Sequence, residues 1–239
     1  MVGVTPPSKP ANHTYLYKRK IMFRHVEGLI FPEMKVSYKD GGRYYHVDES
    51  RVYPSVTTVL KKGTDQSWLK KWRDRVGDRE ADKIMRQASV RGEAVHNIAE
   101  QYLRNNPDYN KKQMPNYLHS FNQIKPILDK HVGLIAGLEL PLYSDFLRVA
   151  GRVDCIAKWD GKFAIIDFKT SRRVKEDEDV ENYFLQESAY AYMFYERTGL
   201  VIPQIVTVMA IDGSEAKVWV AKSKDYLPKF MEVRAKVAE

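Results

Sequence analysis

The chain has 239 residues, of which 44 % are hydrophobic and 29 % charged, and its formal net charge is +8. That size and apolar content suit one large folded domain and exclude wholesale disorder. The basic balance, with a sequence pI of about 9.3, favours a polyanionic partner, nucleic acid ahead of an anionic membrane surface.

The single cysteine, Cys155, excludes an intramolecular disulfide, a thiolate zinc site and an iron–sulfur cluster, and fits a reducing compartment. No apolar run approaches the roughly 20 residues that span a bilayer, so no membrane partner is expected. The opening Met1-Val-Gly-Val-Thr-Pro-Pro7 lacks a signal-peptide h-region and the Arg-rich pattern of a transit peptide.

Residues 1–13, with three prolines, read as a flexible tail. An aromatic and basic patch follows, Tyr15 to Arg24, either an edge strand or a surface whose rings can stack bases. Lys35–Tyr38 and Arg43–Val47 flank Asp40-Gly41-Gly42 and predict a hairpin. Pro54-Ser55 ahead of Val56–Leu60 marks a helix start. Trp68, Leu69, Trp72 and Val76 recur at helical spacing in the charged segment 66–88. A second helix is expected from about Ser89 to Arg104, with Val95, Ala99 and Leu103 in one stripe and His96 and Glu100 one turn apart. A third, Asn116–His131, carries Tyr117, Phe121, Ile124 and Leu128, with Pro126 as a potential kink.

The pattern changes at Gly137. Leu138–Tyr143, Leu147–Ala157 and Lys162–Lys169 read as strands, the last two joined by an Asp160-Gly161 turn. Residues 180–198 read as a helix stopped by Gly199. Gln204–Ile211 and Ala216–Ala221 are two more strands around Asp212-Gly213, and a helix from about Asp225 closes the chain. From residue 89 the order is α-α-β-β-β-α-β-β-α, which predicts an α/β (α+β) fold, a central mixed sheet flanked by helices.

Chemistry concentrates between Gly151 and Tyr195. Asp154 sits in a strand between Val153 and Ile156. Asp167 follows Ala164-Ile165-Ile166, and strand alternation puts Lys169 on its face. Carboxylates among apolar neighbours are costly unless paired or bound to a metal. From the residues alone, the set is either a buried ion pair or a divalent-metal site. A metal site of hard oxygen ligands suits Mg²⁺, and Mg²⁺ beside a lysine suits phosphodiester hydrolysis.

In order, Gly151-Arg-Val-Asp154, Ile166-Asp167-Phe168-Lys169-Thr170-Ser171 and Gln186-Glu-Ser-Ala-Tyr190 resemble the PD-(D/E)XK nuclease superfamily, with Ile166 where the family's name has proline. The RecB-like branch is most similar, in particular its phage exonucleases and mitochondrial genome maintenance exonucleases. Pro54–Leu60, Arg91-Gly92-Glu93-Ala94-Val95-His96 and Leu138-Glu139 strengthen the likeness, which covers roughly residues 52–212.

The resemblance implies a restriction-endonuclease-like core. One nuclease domain would span 14–239, with a hairpin and helical, arch-like part at 14–133 and the core at 134–239. Asp154, Asp167, His96 and the carbonyl of Phe168 would hold Mg²⁺ or Mn²⁺, with Glu139 as a further ligand through water. Lys169 would be the catalytic lysine, and Gln186 with Tyr190 would orient it and contact the DNA strand. Arg91, Thr170 and Ser171 join Gln186 and Tyr190 as substrate-binding candidates, and Glu100 is a candidate partner for His96. The implied activity is a metal-dependent DNA exonuclease preferring single strands or free ends, in phage or organellar DNA processing. A flap or branch endonuclease and an inactive DNA-binding module are the alternatives. The implied setting is the cytoplasm of a phage-infected bacterium or, behind a missing transit peptide, the mitochondrial matrix. With one cysteine, the cluster-bearing relatives of this branch are excluded.

Overall fold

The computed structural model describes residues 22–237. The tail of residues 1–13 and most of the Tyr15–Arg24 patch lie outside them.

Three short strands come first, β1 (Lys35–Lys39), β2 (Gly42–His46) and β3 (Val52–Pro54), paired antiparallel in that order. Asp40 and Gly41 both take positive φ, 50° and 67°, the geometry a two-residue hairpin requires. β3 is an addition to the sequence expectation; it ends at Pro54, and the next residue, Ser55, still donates its N–H to the Arg43 carbonyl at 2.7 Å. Helix α1 (Val56–Gly63) starts as the sequence predicts, with Ser55 Oγ accepting the Thr58 N–H at 3.0 Å.

The charged segment divides differently from the expectation. Helix α2 (Ser67–Val76) stops at Gly77, and α3 (Asp78–Leu103) then runs unbroken through residues 88 and 89. Gly77 has φ 83°, open to glycine, and Asp78 and Glu80 favour the positive end of the new helix. Helix α4 (Pro115–His131) begins with proline at its first turn and continues through Pro126.

The central sheet holds β4 (Val132–Ser144), β5 (Val149–Trp159), β6 (Lys162–Ser171), β7 (Gln204–Ile211) and β8 (Lys217–Lys222), in sequence order. β4, β5 and β6 form an antiparallel meander. Helix α5 (Asp177–Thr198) crosses from β6 to β7, which are parallel, and β8 returns antiparallel. β4 is longer than the predicted Leu138–Tyr143, because residues 132–137 also pair, through register shifts. Helix α5 ends at Gly199 in the left-handed region, its N–H bonded to the Tyr195 carbonyl at 2.7 Å. Helix α6 (Ser223–Ala235) ends the described chain.

Two cores sandwich the sheet. One lies under α1, α5 and α6, with Val153, Ile156, Ile165, Ile205 and Met209. The other lies under α3 and α4, with Cys155, Ile166, Phe168, Val206 and Val208. A sheet covered on both faces needs near-continuous apolar strands, as β5 to β7 are. Cys155 is a buried member of the second core, as its flanking residues suggest. The outer edge of β4 is covered where Ile135 exchanges two 2.8 Å hydrogen bonds with Arg24 and Val26. The small sheet docks on β5 through the Ser55–Ala150 bridge.

Candidate active site

The site forms where β5 and β6 part. Their pairing runs from Trp159–Lys162 to Cys155–Ile166 and ends there. Asp154 is the first residue beyond the last pair on β5, and Asp167 the first on β6. At the fork the Phe168 N–H turns to Asp154 Oδ2 at 3.0 Å. Phe168 therefore gives its N–H to the site.

On the other side of β5, Leu138 pairs with Cys155 and Leu140 with Val153, which leaves Glu139 opposite Asp154. Glu139 holds φ at 53°, a left-handed conformation costly for a glutamate. Arg152 Nη1 fastens its carbonyl at 2.7 Å. From α3, His96 Nδ1 reaches Asp154 Oδ2 at 3.1 Å, its ring edge-on to Phe168 with centroids 6.2 Å apart. One ligand atom each from His96, Glu139 and Asp154 lie within 4.8 Å of one another, enough to hold a cation.

Asp167 stands just behind this group. It is buried, ion-paired through Oδ2 with Lys169, and its Oδ1 accepts from Gln186 Nε2 at 3.4 Å. Gln186 from α5 thus meets the aspartate, not the lysine that the resemblance has it orient. Lys169 Nζ lies 5.1 Å from the centre of the Tyr183 ring. Tyr183 is the face on which the ammonium rests.

The electrostatics follow from crowding. Burial would raise the Asp154 carboxyl, but the His96 ring, its hydrogen bond and Lys169 outweigh that and hold it below the ordinary range. Burial raises Asp167 against the opposing pull of Lys169. Burial works against the Lys169 ammonium, yet Asp167 and Asp154 prevail and its pKa is raised. Burial would also lower His96, and Asp154 overrides it upward. Burial, with Asp154 and Glu100 adding repulsion, pushes Glu139 up to about 7.

The remaining expected residues are placed as follows. Tyr190 is 2 % exposed and packs against Gly151, so it braces the fork from behind. Ser171 is buried, its hydroxyl donating to the Arg173 carbonyl at 2.6 Å. Thr170 faces α3 at Gly92, where its Oγ1 is 4.0 Å from the place a Cβ on that glycine would take. Glu100 belongs to Arg104, at 2.7 Å, and does not partner His96. Arg91 pairs with Asp212. Sequence reasoning missed Glu187, wholly buried on α5 and bonded to Thr207 of β7, the residue that pairs with Asp167 across the parallel ladder. An acid inside the aromatic stretch Tyr183–Tyr195 was the available signal.

Residues 120–211 match a family model described as the PD-(D/E)XK nuclease superfamily. The chain is 27 % identical to "Mitochondrial genome maintenance exonuclease 1" of Homo sapiens over 188 residues, 70 % of this chain and 52 % of that protein. The Xenopus tropicalis protein of the same name is 28 % identical over 183 residues, 68 % of this chain and 50 % of that one. The chain thus spans about half the length of the curated relatives it matches. A solved structure from Eubacterium rectale, assigned as an exonuclease, covers 62 % of this chain and 69 % of its own at 12 % identity, with a TM-score of 0.40. The stretch that is similar to the PD-(D/E)XK nuclease superfamily contains Asp154, Asp167, Lys169, Gln186 and Tyr190, which the fold gathers at and behind one fork.

Proposed function

We propose that the protein is a Mg²⁺- or Mn²⁺-dependent DNA exonuclease, a single nuclease domain over residues 14–239, acting on single strands or free ends in phage or organellar DNA processing. The observation that carries this reading is the gathering of His96, Glu139 and Asp154 within 4.8 Å beside the Asp167–Lys169 pair.

The residues fit such an ion. The donors are carboxylate oxygens and one imidazole, a hard set. Burial and the neighbouring Asp154 lift Glu139 to about 7, and a cation between the two carboxylates relieves both the desolvation and the repulsion. His96, Asp154 and Glu139 would hold the ion, with Asp167 adjoining. Bound there, it supplies charge neutralisation at the scissile phosphate and a lowered pKa for the attacking water.

The chain's own residues do the rest. The Phe168 N–H and His96 fix the Asp154 carboxylate in one orientation. Gln186 and Lys169 fix Asp167. Lys169 keeps its proton at Nζ, since two aspartates stabilise the ammonium, so it serves as a fixed positive charge for the reacting phosphate and a donor that orients water. The basic helix α2, with Arg86 and Arg91 of α3, supports a path for a DNA backbone toward the fork. The settings that fit are the cytoplasm of a phage-infected bacterium and the mitochondrial matrix. Among the described residues no helix is long and apolar enough to cross a membrane.

The test is degradation of end-labelled linear single-stranded DNA in Mg²⁺. Wild type is expected to release short products, and Asp167→Asn and Lys169→Ala to be slower by about 10²–10³-fold or more. Variants as active as wild type refute the assignment. Closed circular single-stranded DNA is expected to survive; its cutting moves the reading to a structure-specific endonuclease. Tight DNA binding by wild type without cutting moves it to a DNA-binding module.

A further inference from the structure

A cleft of about 800 Å³ opens between α3 and α4, over the C-terminal ends of β6 and β7. Its floor is tied together. The Gln123 side chain of α4 exchanges 3.0 Å bonds with the backbone of Ile211, and the Asp212 N–H donates to the Ser171 carbonyl. Its wall on α3 carries Arg86 and Arg91, and Arg172 enters from the end of β6, three residues past Lys169. The opposite wall is the first turn of α4, Asn116 and Tyr117, where the helix N–H groups and the positive end of the dipole concentrate. The cleft thus sets three guanidinium groups and a helix N-terminus against one acid, Asp212.

Arg91 is only partly satisfied. Asp212 takes its Nη1 with both oxygens, at 2.5 and 2.7 Å, while its Nε is buried without a hydrogen-bond acceptor. Arg172 gives one nitrogen to the Gln87 side chain at 2.9 Å. Arg86 makes no ion pair among the described residues. Guanidinium forks with unused donors match the paired oxygens of a phosphate. Arg91 lies five residues before His96, about 7.5 Å along the helix axis, so an anion here is near the fork without occupying it.

We propose that this cleft is a second phosphate subsite, which holds the backbone of the DNA strand beside the scissile bond through Arg86, Arg91 and Arg172. Asp212 is its counter-charge: it occupies Arg91 until phosphate replaces it. The inference rests on the proposed DNA-cutting reading for the identity of the ligand and on the cleft for its chemistry. The Tyr117 ring offers the strand a surface on which a base can stack.

The test measures binding, apart from cutting. A fluorescent single-stranded oligonucleotide is titrated with the whole protein in EDTA across a salt series. Each single-strand phosphate neutralised contributes about 0.7 to the slope of log K against log salt. Arg86→Gln and Arg172→Gln are each expected to weaken binding and flatten the slope by about 0.7. Asp212→Asn is expected to tighten binding roughly two- to fivefold, the effect of removing one exposed opposing charge. A purely structural Arg91–Asp212 pair gives the opposite sign, because its loss loosens the cleft. Unchanged slopes in both arginine variants overturn the proposal, as does weaker binding by an Asp212→Asn protein that melts like wild type. Cleavage by wild type in Mg²⁺ reports separately on the catalytic reading. Wild type that fails to cut, with the salt slopes behaving as expected, overturns the nuclease and upholds the subsite.

Discussion

Gly151 and Tyr190 belong to two separate motifs, and the structure makes them one contact. A methyl group placed on Gly151 lies 2.8 Å from both Oη and Cε1 of Tyr190 and 3.2 Å from Cζ, well inside ordinary contact distance. The tyrosine is buried and cannot swing into solvent. Gly151 is therefore required for space, since its φ is not in the left-handed region. Gly151→Ala overpacks this contact, at a cost of about 1–3 kcal/mol. For a chain of this length the unfolding entropy is about 0.5 kcal/mol/K, so Tm should fall by roughly 2–6 °C. Cleavage should fall further than stability, because β5 must retreat three residues from Asp154, and a displacement of about 1 Å in a site can cost about 10²-fold. The assay is a double-mutant cycle by thermal melting. Tyr190→Ala alone should cost about 3–5 kcal/mol. Adding Gly151→Ala to it should cost nothing more, so that the coupling equals the single-mutant penalty. Tyr190→Phe should rescue little, because Cε1 clashes as closely as the hydroxyl. A Gly151→Ala protein that melts within a degree of wild type, or penalties that simply add, would refute the contact.

Two further outcomes follow from the buried charges. Mg²⁺ or Mn²⁺ at about 100 times its dissociation constant should stabilise wild type by about 2.7 kcal/mol, a rise of roughly 5 °C in Tm, and Asp154→Asn should lose that rise. The rise should shrink as pH drops below 7, because protons on Glu139, whose pKa is about 7, and on His96, also raised, compete with the ion. A rise that grows with acidity would contradict the ligand set. Glu187 is buried beside Asp167 and pushed well above 4.5, first by burial and then by that neighbour, so the folded state keeps its proton. A raised acid contributes stability that is present below its unfolded pKa and lost as pH climbs toward its folded pKa, by up to about 1.4 kcal/mol per pH unit. Glu187→Gln has no proton to lose. Its stability measured by urea unfolding should gain on wild type steadily from pH 5 to pH 8, and parallel curves would show that Glu187 does not carry its proton into the fold.

Much of the molecule was legible because its determinants are local. Asp40-Gly41 and Asp160-Gly161 turn their hairpins through paired positive φ values. Ser55 caps α1 and Gly199 ends α5. The 3.6-residue stripes of α3 and α4 face the core as their spacing requires. The order of elements from α3 onward, the mixed sheet between helices and the place of Asp154, Asp167 and Lys169 on adjacent strands were all readable from one dimension. The break at Gly77 was readable too, from a glycine followed by two acids, but the charge of the segment masked it.

The partners of the site residues were decided only by the fold. Strand alternation says that Asp167 and Lys169 share a face, but not that β5 and β6 part just there and turn the Phe168 N–H to Asp154. Glu139 joins the cluster because a left-handed residue in β4 sits opposite Asp154, a matter of register between strands. Tyr190 is brought behind the fork and Glu187 into the core by the docking of α5, which no helical period specifies. Arg91 and Asp212 are 121 residues apart and meet because α3 lies across the ends of β6 and β7. The sequence by itself determined which residues are candidates for the site and on which elements they ride. Their neighbours, and with them each carboxyl's charge, were set by tertiary packing, because desolvation and Coulomb forces act through space and not along the chain.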